Sequence, residues 1–135
     1  MGKKSFFSLI FSLLLILSDT IFSAEAVFKP GKYLGSSEGY GGPVKVEVTT
    51  SKDRIESVVI VEHKERKGIS DHAIESLPKE IVDNQSISVD YVAGASKSSK
   101  AIIEATKEAL KFSGVSIAAI SKPVTKKVVE NIILD

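Results

Sequence analysis

Val44-Lys45-Val46-Glu47-Val48-Thr49 and, after the polar interval Thr50 to Arg54, Ile55-Glu56-Ser57-Val58-Val59-Ile60-Val61 decide the fold. In the first stretch three valines alternate with Lys45, Glu47 and Thr49, the period of a strand with one face buried and one solvated. The second stretch is β-branched and more apolar, as a more deeply buried partner strand is. A short polar interval between two such runs predicts an antiparallel hairpin.

Working outward toward the C-terminus, His63-Lys64-Glu65-Arg66-Lys67-Gly68 reads as a charged loop. Ser70 or Asp71 is placed to cap a short helix with Ala73, Ile74 and Leu77 at helical spacing. Pro78 either ends that helix or opens another turn, and Ile81 and Val82 continue the apolar face. Ser86 to Val92 alternates again, with Ile87 and Val89 on one side, and predicts a short strand. Gly94 to Ser99 breaks it. A helix is expected from about Lys100 to Phe112, lined by Ile102, Ala105, Ala109 and Phe112 and stopped by Gly114. Toward the N-terminus, glycines at 31, 35, 39, 41 and 42 are awkward inside a strand, so Lys29 to Tyr33 reads as a turn and Gly35 to Pro43 as loop. This glycine-rich segment lacks the Gly-Lys-Ser/Thr ending of a P-loop and opens no helix. The order strand, strand, helix, strand, helix fits a compact α+β domain, an antiparallel sheet with packed helices.

The chain has 135 residues, enough for one domain, and its 43% apolar and 26% charged fractions are those of a folded protein. Eighteen Lys and Arg nearly balance seventeen Asp and Glu, leaving a net charge of +1. That balance provides no electrostatic footprint for nucleic acid. Without cysteine there are no disulfides, no thiolate metal ligands, no iron–sulfur ligation, no thiol nucleophile and no acylated lipoprotein cysteine. Redox chemistry in such a chain has to come from a bound cofactor.

The leader has its own pattern. Lys3 and Lys4 precede the apolar run Phe6 to Leu17, which Asp19 and Thr20 end, and Ala24-Glu25-Ala26 offers small residues where a signal peptidase reads. Residues 1–26 are expected to be a secretory signal peptide, with an uncleaved anchor as the rival. The apolar run is shorter than the roughly 20 residues that span a bilayer. The domain is expected over 27–114, and 115–135 as a partly helical tail in which Pro123 opens a helix carrying Val124, Val128, Ile132 and Ile133.

The stretch richest in chemistry is Asp90-Tyr91-Val92-Ala93-Gly94-Ala95-Ser96-Lys97-Ser98-Ser99-Lys100. A strand ends at a Gly-Ala pair, and hydroxyls and lysines surround the start of a helix. Helix N-termini present unpaired N–H groups and a partial positive charge, which suit a phosphate. Lys97 and Lys100 add charge, while Ser96, Ser98 and Ser99 add hydroxyl donors. The plainer reading is that Ser98 or Ser99 caps the helix and the lysines are solvated.

In order and spacing, several short motifs here resemble the small FMN-binding domain family, also found in the C subunit of the sodium-translocating NADH:quinone reductase and the G subunit of the Rnf complex. They are Gly41-Gly42-Pro43-Val44, His63-x-Glu65 with Gly68-Ile69, Ala73-Ile74-Glu75-x-Leu77-Pro78, Ile81-Val82, Gln85-Ser86, Val89-Asp90, and Gly94-Ala95-Ser96 with Lys100-Ala101-Ile102. The resemblance implies FMN as cofactor, esterified through its phosphate to the hydroxyl at Ser96 by a flavin transferase acting on FAD. Ser96 stands where threonine is commoner, and Ala93 where the family has a hydroxyl residue. The same resemblance puts the His63–Gly68 loop, with Glu65, near the flavin, Arg66 standing at a usual threonine. Gly94, Ala95, Lys97, Ser98 and Ser99 then belong to the phosphate end, and Tyr40 either stacks on the isoalloxazine or packs.

No catalytic spacing of nucleophile, base and acid stands out, and two histidines, His63 and His72, without companions make a poor metal site. The expectation is therefore an extracytoplasmic flavin electron carrier, not a stand-alone enzyme, with a membrane or extracytoplasmic redox partner and no metal. A secreted binding module of the same fold without flavin is the alternative.

Overall fold

A computed structural model describes residues 26–124; the leader to residue 25 and the proposed helix beyond Val124 lie outside the described residues. Strands β1 (Gly31–Glu38), β2 (Pro43–Thr50) and β3 (Ile55–Glu62) form one antiparallel sheet in chain order. Helices α1 (Asp71–Asn84) and α2 (Ser96–Phe112) follow, then the one-turn helix α3 (Ile117–Ile120). Helix α2 lies across β1 and β2, α1 lies on β3, and the two helices touch. The result is a two-layer α+β fold, as the sequence predicts.

The hairpin of β2 and β3 forms as its alternation dictates. Val44, Val46 and Val48 are fully buried with Ile55, and Val58 is buried beside them, whereas Lys45 and Glu47 face away from the helices. Leu77 and Ile81 of α1 and Ile102, Ala105, Ala109 and Leu110 of α2 close the core from above. At about 1.5–3 kcal/mol for each large buried side chain, this layer supplies the main driving force for folding.

Five expectations are corrected. Gly31–Glu38 is a strand, not a turn and loop: it pairs with β2 along its whole length, Gly35 opposite Val46. A side chain at Gly35 would strike the backbone of Ala105 and Ala109, so the missing Cβ lets β1 lie directly beneath α2. Ser86 to Val92 forms no strand, although Ile87 and Val89 are buried as its alternation requires. Its backbone turns instead to the end of the described chain, where Ile87 N–H donates to the Ile120 carbonyl and the Ser86 hydroxyl to that of Lys122. Helix α1 runs straight through Pro78, because Ala73, Leu77 and Ile81 form an uninterrupted buried stripe across it. That packing outweighs the roughly 3 kcal/mol a proline costs inside a helix. Finally, α2 begins at Ser96 rather than near Lys100, and Val124 itself is not helical.

Chain direction sorts the connections onto two poles about 25 Å apart, the rise of an eight-residue strand. The β1–β2 turn, the loop from β3 to α1 and the segment entering α2 share one pole. Residues 26–30, the β2–β3 turn, the end of α1 and residues 113–124 share the other, joined by bonds such as Lys29 N–H to the Ser113 carbonyl. Both ends of the described chain leave from this second pole.

Candidate functional site

At the first pole a carboxylate organises the backbone. Glu65 is 8% exposed; its Oε1 accepts the Tyr40 N–H at 2.9 Å and its Oε2 accepts the Gly41 N–H at 2.7 Å. Two charge-assisted bonds from adjacent amides stabilise the β1–β2 turn, which the bond from Gly39 N–H to the Gly42 carbonyl closes. A side chain at Gly39 would collide with the Glu65 carboxylate, and one at Gly41 with the Lys64 carbonyl. These glycines exist for close approach. His63 Nδ1 accepts the Glu65 N–H at 3.2 Å, tightening the same loop.

The start of α2 is built from the other side. Gly94 takes φ +81°, a left-handed conformation that side chains rarely adopt, and Ala95 is buried behind it as the N-cap residue. Three serines follow with different fates. The Ser98 hydroxyl bonds that of Ser70 at 2.8 Å, joining the first turn of α2 to the entrance of α1. The Ser99 hydroxyl accepts the Val92 N–H at 2.9 Å and donates to the Ala95 carbonyl at 2.7 Å. The Ser96 hydroxyl, on the first helical residue, is exposed and makes no hydrogen bond to any described residue. No side chain caps either α1 or α2. Neither Ser98 nor Ser99 caps α2, and of the two candidates for α1, Ser70 turns to Ser98 while Asp71 accepts the Gly68 N–H.

These segments enclose a cavity of about 410 Å³ lined by Tyr40, Arg66, Ile69, Ser70, Gly94, Ala95, Ser96, Lys97 and Ser98. Its size is that of a small-molecule site. The Arg66 guanidinium lies 5.7 Å and the Lys97 ammonium 5.8 Å from the centre of the Tyr40 ring, within cation–π range. One wall is therefore a helix N-terminus with a free hydroxyl and a lysine, and another is an aromatic face with an aliphatic neighbour. A phosphate suits the first and a flat ring system the second.

The structure brings together Tyr40, Gly94, Ala95, Ser96, Lys97 and Ser98 of the residues singled out from sequence. His63, Glu65, Gly68 and Ser99 do not line the cavity. Glu65 and Ser99 act through backbone amides, which no sequence motif reveals. Arg66, Ile69 and Ser70 line the cavity without having been among the candidate site residues; the signals were Arg66 at a position where the resemblance leads one to expect threonine and Ile69 within a family motif, while Ser70 was read only as a helix cap. Among the described residues no group of three His, Cys, Asp or Glu is arranged to hold a metal, and no helix is long and apolar enough to cross a membrane.

Comparison with known proteins agrees with this geometry. The sequence profile of the FMN-binding domain matches residues 39–111. The chain is 34% identical over 87 residues to NADH:acrylate oxidoreductase of Vibrio harveyi, covering 64% of this chain and 9% of that protein. It is 37% identical over 87 residues to an uncharacterized protein of Treponema pallidum, covering 64% of this chain and 24% of the relative. Against urocanate reductase of Eggerthella lenta it is 36% identical over 83 residues, 62% of this chain and 14% of the enzyme. The chain thus spans less than a quarter of the length of these relatives. From the turn at Gly39 through the whole of α2's apolar face, this chain belongs to the FMN-binding domain family, and FMN is its cofactor.

Proposed function

We propose that the protein is an extracytoplasmic electron relay whose single FMN is joined through its phosphate to Ser96. The observation that carries the reading is the contrast among three serines at one helix start: Ser98 and Ser99 are committed to structure, whereas Ser96 offers an exposed, unbonded hydroxyl to the cavity. The uncapped N–H groups of α2 and the Lys97 ammonium stabilise the charge of a phosphate there. FMN, when bound, supplies reversible one- and two-electron transfer, and the protein sets its access and surroundings.

The attachment balances with FAD as donor and a flavin transferase as catalyst. Ser96 Oγ attacks the phosphorus on the riboflavin side, the new O–P bond forms as the phosphoanhydride bond breaks, AMP leaves, and the hydroxyl proton passes to a base of the transferase. Tyr40 and Ile69 offer the apolar wall for the ring, and Arg66 a cation beside it. The leader pattern of residues 1–26 supports export, where an ester tether prevents loss of the cofactor. The two named relatives are a NADH:acrylate oxidoreductase and a urocanate reductase, enzymes in which this region is a small part. By that analogy the domain passes electrons to or from a separate redox partner, in the membrane or outside the cell, and is not itself the substrate-converting enzyme.

Co-expression with a flavin transferase and intact-mass measurement test the proposal. The wild type is expected to gain the mass of FMN less one water and to stay yellow after denaturation. Ser96→Ala is expected to lose the added mass while Ser96→Thr keeps it; an unchanged gain in the alanine variant overturns the assignment.

A further inference from the structure

The pole that holds the cavity carries five exposed cations. Lys64, Arg66, Lys67, Lys97 and Lys100 are all exposed, and they come from the two segments that build the site. The stem of Lys64 lies against Gly42, beside Tyr40, and Lys100 sits one helical turn beyond Lys97 on the same flank of α2. None of the four ion pairs among the described residues involves any of these five side chains; those pairs lie on the sheet and near the end of α2. Cations stand at the far pole as well, Lys29, Lys52, Arg54 and Lys122 among them; what sets this end apart is that Arg66 and Lys97 line the cavity itself. Glu65, the nearest carboxylate in sequence, is buried behind the turn and bound to two amides.

We infer that the rim of the cavity is the docking surface for an acidic protein partner, which meets the five cations when it exchanges electrons with the domain. The inference rests on the relay function proposed above and adds the partner's chemistry to it. Complementary charge around a redox site steers a transient encounter and is screened by salt, which suits a complex that must form and dissolve quickly. A lipid surface fits less well. Both ends of the described chain leave from the far pole, so any segment that tethers the domain through them holds the cavity away from its attachment. Asp71, which accepts the Gly68 N–H, and the exposed Glu38 that ends β1 also stand at this pole, which disfavours a flat anionic sheet more than a protein with shaped acidic patches.

The full mature chain, titrated with a short poly-glutamate peptide at low and high salt and followed by amide chemical shifts, tests this. Binding is expected to perturb residues around 64–68 and 97–100 and to weaken as salt rises. Lys64→Glu combined with Lys67→Glu is expected to weaken it about tenfold, whereas Lys52→Glu with Lys122→Glu, at the opposite pole, leaves it unchanged. Equal loss in both double variants, perturbation centred on the far pole, or no binding overturns the inference. So does tighter binding to vesicles of equal phosphatidylglycerol and phosphatidylcholine than to the peptide. Flavin content, measured by mass on each sample, separates the two readings: peptide binding by a chain without FMN spares the docking surface and sinks the relay, and a flavin-loaded chain indifferent to the peptide does the reverse.

Discussion

The two poles of the sheet are closed by opposite means. At the pole away from the cavity, backbone meets backbone: Phe28 N–H donates to the Lys52 carbonyl, Lys29 N–H to that of Ser113, and Ile87 N–H to that of Ile120. Apolar side chains of Phe28, Val115 and Ile120 plug it. The cavity pole is held by a carboxylate, a pair of serine hydroxyls and glycines that let them approach. One end is sealed like a core; the other is propped open by side chains, and there the Ser96 hydroxyl faces the cavity uncommitted. Substitutions can show whether this division of labour is real.

The largest effect on stability is expected at the sealed pole. Ile120→Ala removes a fully buried side chain and should cost about 2–5 kcal/mol in chemical denaturation, while the folded fraction still accepts FMN normally. A defect in flavin loading of the folded protein would show the poles to be coupled. Next comes Glu65→Ala, which strips two amides of their acceptor and should cost about 1–3 kcal/mol. Here loading is expected to suffer as well, because Tyr40 loses its anchor; unaltered loading would remove Glu65 from the site. Ser98→Ala, which leaves the buried Ser70 hydroxyl unpaired, is expected to cost about 1 kcal/mol and to leave the mass gain at Ser96 intact. Loss of that gain would mean that Ser98, not its free neighbour, is the residue that matters.

The sealed half of this picture was largely legible in the sequence. Alternation at Val44, Val46 and Val48 and the stripe at Ala73, Leu77 and Ile81 follow from burial, and burial is what periodicity records. The glycine of β1 misled, because a strand that lies directly under a helix needs a missing Cβ that local rules read as a turn. Ile87 and Val89 misled in the reverse sense: they alternate because one side is buried, though no neighbouring strand receives the backbone. At the open pole, sequence picked out residues that line the cavity, such as Ser96 and Lys97, and named Glu65 and Ser99 too, but not what these two do. Glu65 reaching two amides and Ser99 reaching Val92 are contacts between a side chain and backbone, and backbone carries no letter in the sequence.

The shared exit of Ala26 and Val124 bears on how such a unit is reused. A domain that enters and leaves on the side remote from its working end is a ready cassette: it can be spliced to either terminus of a larger polypeptide, or set within a loop, without a linker crossing the mouth of its cavity. Relatives in which the matching region makes up 9–24% of the length are arranged as such splicing allows.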